Sequence, residues 1–403
     1  VDLSALTCVE DYTIEGNALS AGDHYDLLVS LTCAEEGSLI VFSSDDADDF
    51  CATGETELEN LYVNATGTDP IDLSCVEVVT GDLEIENSNA PSIDLGGLES
   101  VGGFAYIHDN EALLSVDVGA LVSIGDYLYV TNNEDLKSVD MRSLETVKNE
   151  VYIYNSDNFE EIKLDSLREA GSSFNVSNNQ VMESLSLPSL ETVDGSFQIE
   201  SNDQMRDITA NALLSVEGTV YVYYNYDLET LSLGGFEEAA SSLYIQYNTV
   251  LEDVDLSSLQ TVASTLYIYE NESMESLDLG GLTEIGGGFY LSYNDDLSDL
   301  NLDSLEEIDG ELYFYDNDDI ETISMPVLTE IGSSMMVSYN ASLIDLSAPS
   351  LSSIGSSMYI QDNSSLDSVD VGSLTCVDDY TIEGNGLSED DHYDLLVQIT
   401  SGC

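Results

Sequence analysis

The chain of 403 residues has no tryptophan, only three histidines and only six basic residues. Six positive charges against 80 acidic ones leave a formal net charge of −74. Such a surface repels nucleic acid and anionic membrane and attracts cations and basic partners. Three histidines are a small stock for catalysis. His24 and His392 stand at equivalent places in a repeated segment, and His108 reads as facing outward alone. No nucleophile motif, orienting triad or phosphate-binding glycine loop accompanies them. Paired carboxylates are too common here to signal glycosidase chemistry, and a cleft for acidic polysaccharides would need cations that are almost absent. We therefore expect no enzyme and no cofactor. No apolar run reaches the ~20 residues of a membrane helix, so direct membrane insertion is not expected, and the short "SLIVF" at Ser38 to Phe42 reads as a strand. What is present is apolar substance for a sizeable core, with 43% of residues hydrophobic.

Cysteine is scarce but paired along the chain: Cys8 with Cys33, Cys51 with Cys75, and Cys376 with Cys403. An even count grouped near the two ends suggests disulfides and an oxidising, extracellular compartment, with buried free thiols as the alternative. No CxxC or histidine-rich spacing points to a metal.

Asparagine carries the organisation. Asn64, Asn87, Asn110, Asn133, Asn179, Asn202, Asn225, Asn248, Asn271, Asn294, Asn317, Asn340 and Asn363 fall on one grid of 23 residues, with a gap at Ser156 beside Asn155. Apolar residues keep the same register; in one turn they are Leu251, Val254, Leu256, Leu259, Val262, Leu266 and Ile268. A fixed period of this length predicts a solenoid in which each turn buries its apolar edge against the next. With no proline- or glycine-rich linker between Gly81 and Thr375, one continuous rod is expected, and "GGG" at Gly286 to Gly288 reads as a corner.

"FYLSYNDDL" at Phe289 to Leu297 resembles the leucine-rich-repeat signature with one extra residue before the last leucine. The full turn, L-x-I-x-x-N-x-x-L-x-x-L-x-L-x-x-L-x-x-I, looks more like the receptor L-domain repeat, over about 300 residues. That family includes growth-factor receptor ectodomains and fungal cell-wall surface proteins. The resemblance implies an all-β, right-handed parallel β-helix closed by disulfide-bonded caps containing a helix. It also implies that the ladder asparagines turn inward to bond neighbouring turns. In the cap segment "LSAGDHYDLLVSL", Ser20 is placed to cap a helix whose apolar side is Tyr25, Leu28, Val29 and Leu31. The receptors' cysteine-rich modules are missing, so receptor function does not carry over.

Alternation in "STLYIYEN" sends Leu266 and Ile268 inward and Tyr267 and Tyr269 outward. The outward site four residues before the ladder holds Tyr106, Tyr129, Tyr152, Tyr221, Tyr244, Tyr267, Tyr290, Tyr313 and Tyr359. Tyr154, Tyr223, Tyr269 and Tyr315 flank it, as do Tyr224, Tyr247, Tyr293 and Tyr339. Two readings stand for this face: tyrosines that stack and stabilise strands, or an interface for another copy or a carbohydrate. On a second face Asp94, Asp117, Asp140, Asp255, Asp278 and Asp370 share one outward site. Carboxylates ~4.8 Å apart repel by roughly 1 kcal/mol per pair even in bulk water, so a diffuse atmosphere of Ca²⁺ or other cations is expected, and no EF-hand loop is present. Lys137, Arg142, Lys148, Lys163, Arg168 and Arg206 crowd into one stretch, where ion pairs within the surface are the plainest expectation and docking on an acidic neighbour the alternative. Of five N-x-S/T sequons, Asn64, Asn271, Asn340 and Asn363 fall on the inward ladder; Asn175 falls in the tyrosine column, and a glycan is expected there.

"VDLSALTCVEDYTIEGNALS" at Val1 is matched by "VDVGSLTCVDDYTIEGNGLS" at Val369, and Cys8 and Cys376 stand 368 residues apart, sixteen turns of 23. Residues 1–33 are thus expected to be a cap closing a preceding module. Residues 34–80 are read as irregular opening turns with the second disulfide, 81–375 as the regular solenoid and 376–403 as the C-terminal cap. The expectation is a processed chain or a window from a longer tandem array, acting as a filament module that associates with itself. A cell-surface ectodomain binding a protein or carbohydrate is the alternative.

Overall fold

The computed structural model describes residues 37–402, so the expectations for Cys8, Cys33, His24, Cys403 and the cap at residues 1–33 lie outside the described residues. The described chain is a parallel β-solenoid. It divides into two compact units, one holding the residues up to Ser172 together with Asn178–Met182, the other Ser173–Ser177 and Glu183 onward.

Both units repeat the same turn. A four-residue strand such as Leu266–Tyr269 is followed by a three-residue strand, Ser276–Asp278, and a two-residue strand, Glu284–Ile285. Each pairs in parallel with its counterpart one turn away: Leu266 lies opposite Phe289, and Tyr267 opposite Tyr290. In the unit before Ser173 the same parallel pairing joins Ala105 to Leu128 and Tyr106 to Tyr129. Strands this short would be marginal alone; the four-residue strands run unbroken as one sheet of sixteen, the three-residue strands fall into shorter sheets, and all lie over a common core. Between Asn248 and Asn271, Leu251, Leu256, Leu259, Val262, Leu266 and Ile268 are buried, while Val254 is half-buried. The "GGG" is a corner, as expected. A Cβ on Gly286 would stand 2.4 Å from the Ala263 carbonyl oxygen of the preceding turn, so successive corners pack backbone on backbone.

The ladder asparagines are wholly buried and make the bonds that set the spacing between turns. Asn271 Oδ1 accepts from the Asn248 N–H at 3.3 Å, and Asn271 Nδ2 donates to the Ile245 carbonyl at 2.9 Å. The same pair of bonds recurs at Asn225, Asn248, Asn294, Asn317, Asn340 and Asn363. At the gap, Ser156 takes the position instead: its Oγ accepts from the Asn133 N–H at 3.2 Å. The residue before each ladder position is held in left-handed backbone, with φ between 50° at Glu270 and 61° at Tyr339 from Asp109 onward.

The first described turns depart from the grid. Leu39, Leu61, Leu83 and Ala105 pair at 22-residue intervals, and only from Ala105 to Leu128 does the step become 23. Asn87 therefore occupies the left-handed site (φ 48°) and is exposed, while the buried residue in its turn is Ser88, whose N–H donates to Asn110 Oδ1 at 2.8 Å. Asn64 is half-buried and donates to Glu86 instead. Both had been assigned to the ladder; one residue fewer per turn moves them off it. Leu39–Val41 is the expected strand, and Ser44–Thr53 is a helix capped by the Ser43 hydroxyl and ended by Gly54 at φ 77°. Ala47 and Phe50 are its buried side, and Cys51 is disulfide-bonded to Cys75 across a Cα separation of 5.7 Å. Ala47, inside the acid-rich "DDADD", and Phe50, just after it, are the buried residues of this helix.

In the second unit the chain finishes on a helix, Glu389–Thr400, capped by Ser388 and packed through Leu395 and Ile399. Gln398 Nε2 donates to the Val371 carbonyl at 2.7 Å, and Cys376 is disulfide-bonded to a partner outside the described residues. In this copy of the cap segment Tyr393 and Val397, the counterparts of Tyr25 and Val29, are exposed at 65% and 48%.

Asn271→Ala removes the partner of the Asn248 N–H and of the Ile245 carbonyl, and at ~1–3 kcal/mol per group we expect a loss of roughly 2–6 kcal/mol. Asn271→Ser keeps an acceptor, as Ser156 does, and is expected to lose about half as much; urea midpoints of the two variants check the order.

Candidate functional site

The tyrosine column is built as the alternation predicts. Tyr106, Tyr129 and Tyr152 in the first unit, and Tyr221, Tyr244, Tyr267, Tyr290, Tyr313 and Tyr359 in the second, are all half-buried on the outer side of four-residue strands, five-residue at Tyr359. Register brings the rings together. Tyr129 and Tyr152 stack at 5.1 Å, as do Tyr221 and Tyr244, while Tyr244–Tyr267, Tyr267–Tyr290 and Tyr290–Tyr313 lie 5.5–5.9 Å apart. Tyr359 is separated from Tyr313 by Met336 in the same column.

In the second unit the column is one edge of a wider band. Tyr224 stacks on Tyr247 at 4.6 Å, and Tyr247, Tyr269, Tyr293, Tyr315 and Tyr339 follow at 5.1–5.5 Å. Tyr224, Tyr247, Tyr293 and Tyr339 hold left-handed backbone, φ 56–61°, where a bulky side chain is uncommon. Sequence reasoning missed the companions of this face in the first unit. Phe104 stacks on Tyr127 at 5.0 Å, and Tyr127 lies 4.2 Å from Tyr129; their position two residues before the column was the available signal. Tyr226, exposed at 48%, adds to the second unit's band.

Packing of phenol on phenol suppresses ionisation. Burial, then the Glu150 charge and the neighbouring rings, push Tyr129 up to about 12. Burial likewise raises Tyr267, Tyr290 and Tyr313, and a hydrogen bond with Glu270, then burial, raises Tyr269. A raised phenol contributes stability that is complete below its unfolded value and is lost as pH rises through the folded one.

The acidic column has a structural use that the sequence did not disclose. Asp94, Asp117, Asp255 and Asp278 each accept, through Oδ1, the backbone N–H two residues on, at 2.8–3.1 Å, and so shape the corner after the strand. Asp72 and Asp140 do the same at Ser74 and Arg142. The Ser74 hydroxyl holds Asp72 below the usual carboxylate range, and Arg142 does so for Asp140. The column is also broken: Lys163 stands in register with Asp140, and Asn301 with Asp278, to which it donates at 2.8 Å. Lys137 pairs with Glu160 at 2.9 Å and Arg206 with Glu229 at 3.6 Å, so these cations serve their own surface. Elsewhere repulsion is uncompensated. Burial, then Asp318 and other acids, raise Asp295 and Asp316, and Asp309, then burial, raises Glu307.

His108 is not alone. It is buried, its ring lies 3.7 Å from the Tyr106 ring centre to centre, Nδ1 is 2.9 Å from Asp109 Oδ2, and Nε2 is 3.0 Å from Glu84 Oε1. Burial pushes its pKa down, but the two carboxylates outweigh it and the net direction is up. Asn175, opposite Gln198, is half-buried, and its Oδ1 accepts from the Ser177 hydroxyl at 2.7 Å; Asn271, Asn340 and Asn363 are wholly buried.

Fold and face define a repeat-built parallel β-solenoid with aromatic and acidic columns. No protein-family model matches the chain, and no curated protein matches it. Among solved structures the chain is similar to the crystal structure of a TLR13–ssRNA13 complex, at 13% identity and a TM-score of 0.20, over 81% of this chain and 63% of that one. A likeness that weak carries nothing about ligands.

Two outcomes follow from the titrations. In alkaline titration the tyrosinate absorbance is expected to lag free tyrosine, with stability falling between about pH 10 and the value of about 12 at Tyr129. Acidification from neutral pH is expected to raise the melting temperature first, as Asp295, Asp316 and Glu307 take up protons. It should lower it once Asp72 and Asp140, whose contributions exist above the unfolded value, are protonated. A melting temperature that falls monotonically from pH 7 would contradict this.

Proposed function

We propose that this chain is a non-enzymatic structural module of an extracellular filament or fibre, joined to further copies through its tyrosine face. The observation that carries the reading is the set of tyrosines at left-handed positions, Tyr224, Tyr247, Tyr293 and Tyr339. That backbone costs an ordinary side chain roughly 1–2 kcal/mol, and asparagine, which takes the same site at Asn132, Asn155 and Asn178, tolerates it better. Tyrosine there widens the aromatic band from two columns to three and leaves Tyr339 exposed at 48%. Stacking within the fold needs only the central column; breadth serves contact with another flat surface, and tyrosine is enriched where proteins meet.

The cap segment repeated at a spacing of 368 residues supports a tandem chain of such modules. Disulfides support an oxidising compartment, and among the described residues no helix is long and apolar enough to cross a membrane. At a net charge of −74 copies repel one another, so contact through the rings requires salt or divalent cations gathered diffusely on the acidic columns.

The triple substitution of Tyr244, Tyr267 and Tyr290 by Ser is expected to abolish salt-dependent self-association of the chain in sedimentation velocity, with far-UV circular dichroism unchanged. Undiminished association of a folded triple variant would remove the reading. Loss of binding to a carbohydrate array, with the chain monomeric at every salt concentration, would replace it with a surface ectodomain that takes a sugar.

A further inference from the structure

Glu84, Glu86 and His108 form a compact donor set on the outer surface of the first unit. They lie on two neighbouring parallel strands, Leu83–Glu86 and Ala105–His108, with Glu86 directly opposite His108 and Glu84 opposite Tyr106. One ligand atom from each of the three lies within 4.8 Å of the others. In a tetrahedral site with bonds of ~2.0–2.2 Å, ligand atoms stand about 3.3–3.6 Å apart, so small carboxylate rotations close the set around one ion.

Proximity of acids means little on a surface as acidic as this one, and the distinguishing feature is how these side chains are held. The His108 side chain is only 10% exposed, its Nδ1 is engaged by Asp109 at 2.9 Å, and its Nε2 meets Glu84 Oε1 at 3.0 Å. This is the carboxylate–histidine arrangement that fixes the ring and the tautomer of metal-binding histidines. Glu86 is oriented in the same way: Oε1 accepts from Asn64 Nδ2 at 3.3 Å and Oε2 from Asn87 Nδ2 at 3.0 Å. Asn64 and Asn87 are the two asparagines displaced from the ladder by the 22-residue turns, so the register change is what brings them here. The Tyr106 ring covers one side of the imidazole. In the next turn, Thr131 stands in register with His108, wholly buried, and its Oγ1 has no hydrogen-bond partner.

We propose that Glu84, Glu86 and His108 Nε2 bind one Zn²⁺-class divalent ion, with Asp109, Asn64 and Asn87 as orienting groups and a remaining position open to water. One imidazole and two carboxylates suit Zn²⁺ and its first-row neighbours, whereas Ca²⁺ and Mg²⁺ prefer sites of oxygen alone. On binding, the proton shared between Nε2 and Glu84 leaves to solvent and the nitrogen lone pair takes the metal. The ion ties two successive turns across their outer face, close to the disulfide-bonded end of the unit, so its role is to clamp the stack.

The test uses the full chain, stripped with chelator and titrated with Zn²⁺ in millimolar Ca²⁺, which occupies the diffuse acidic surface. Calorimetry is expected to find one Ca²⁺-resistant Zn²⁺ site per chain that His108→Gln abolishes and His392→Gln leaves intact. Asp109→Asn is expected to weaken it about 10–100-fold without removing a ligand. Binding of Zn²⁺ only as readily as Ca²⁺, or an unaltered site in His108→Gln, would overturn the proposal. Should His108→Gln fail to fold by circular dichroism, the imidazole ¹⁵N resonances of the unmodified chain decide. One equivalent of Zn²⁺ must shift Nε2 of His108, and an unmoved signal refutes the site.

Discussion

The regular turns depend on a buried amide, replaced by Ser156 in one of them. The ladder asparagine accepts from the backbone of the turn before and donates to a strand carbonyl of that turn, inside an interior closed to solvent. A buried amide satisfied this way is stabilising, and one left unsatisfied costs far more than a single hydrogen bond contributes. The spacing between asparagines therefore becomes the spacing between turns, and side chains at one position of the repeat are forced into columns about one strand spacing apart.

Columns amplify whatever residue they contain. Leucine and isoleucine columns give a continuous core, and tyrosine columns give a ladder of rings, among which burial raises Tyr129, Tyr267, Tyr290 and Tyr313. Aspartate columns would give only repulsion were each carboxylate not also closing the turn that follows it, at Asp94, Asp117, Asp255 and Asp278. That local bond explains how a chain with 80 acidic residues keeps an ordered acidic face. Where acids have no such use their pKa values rise, at Asp295 and Asp316 through burial and then Asp318, and at Glu307 through Asp309 and then burial.

The left-handed residue beside the ladder links architecture to surface. It lets the chain leave the long strand while the asparagine turns inward, and it directs its own side chain outward next to the column. Asparagine and aspartate at this site serve the turn alone. Tyrosine there serves the surface as well, at a backbone cost, which is why the breadth of the aromatic band in the second unit is a better guide to use than its length.

The sequence alone determined the solenoid, its 23-residue period and the outward tyrosines, because each follows from a period that repeats often enough to be read without knowing the fold; the inward turn of the asparagines was implied by the resemblance to the receptor L-domain repeat. It also carried the pairing of Cys51 with Cys75. It misplaced Asn64 and Asn87, since a grid read from residue type cannot detect a turn one residue shorter when asparagine happens to fall on the next position. It missed the helix at Ser44–Thr53, whose two buried residues are hidden among acids. Only the tertiary structure decided that His108, solitary in sequence, meets Glu84 and Asp109, because those contacts join residues of different turns or depend on left-handed backbone at Asp109. Periodic features are local and cumulative, so sequence reveals them; single constellations arise where register brings unlike neighbours together, and register is a property of the stacked turns.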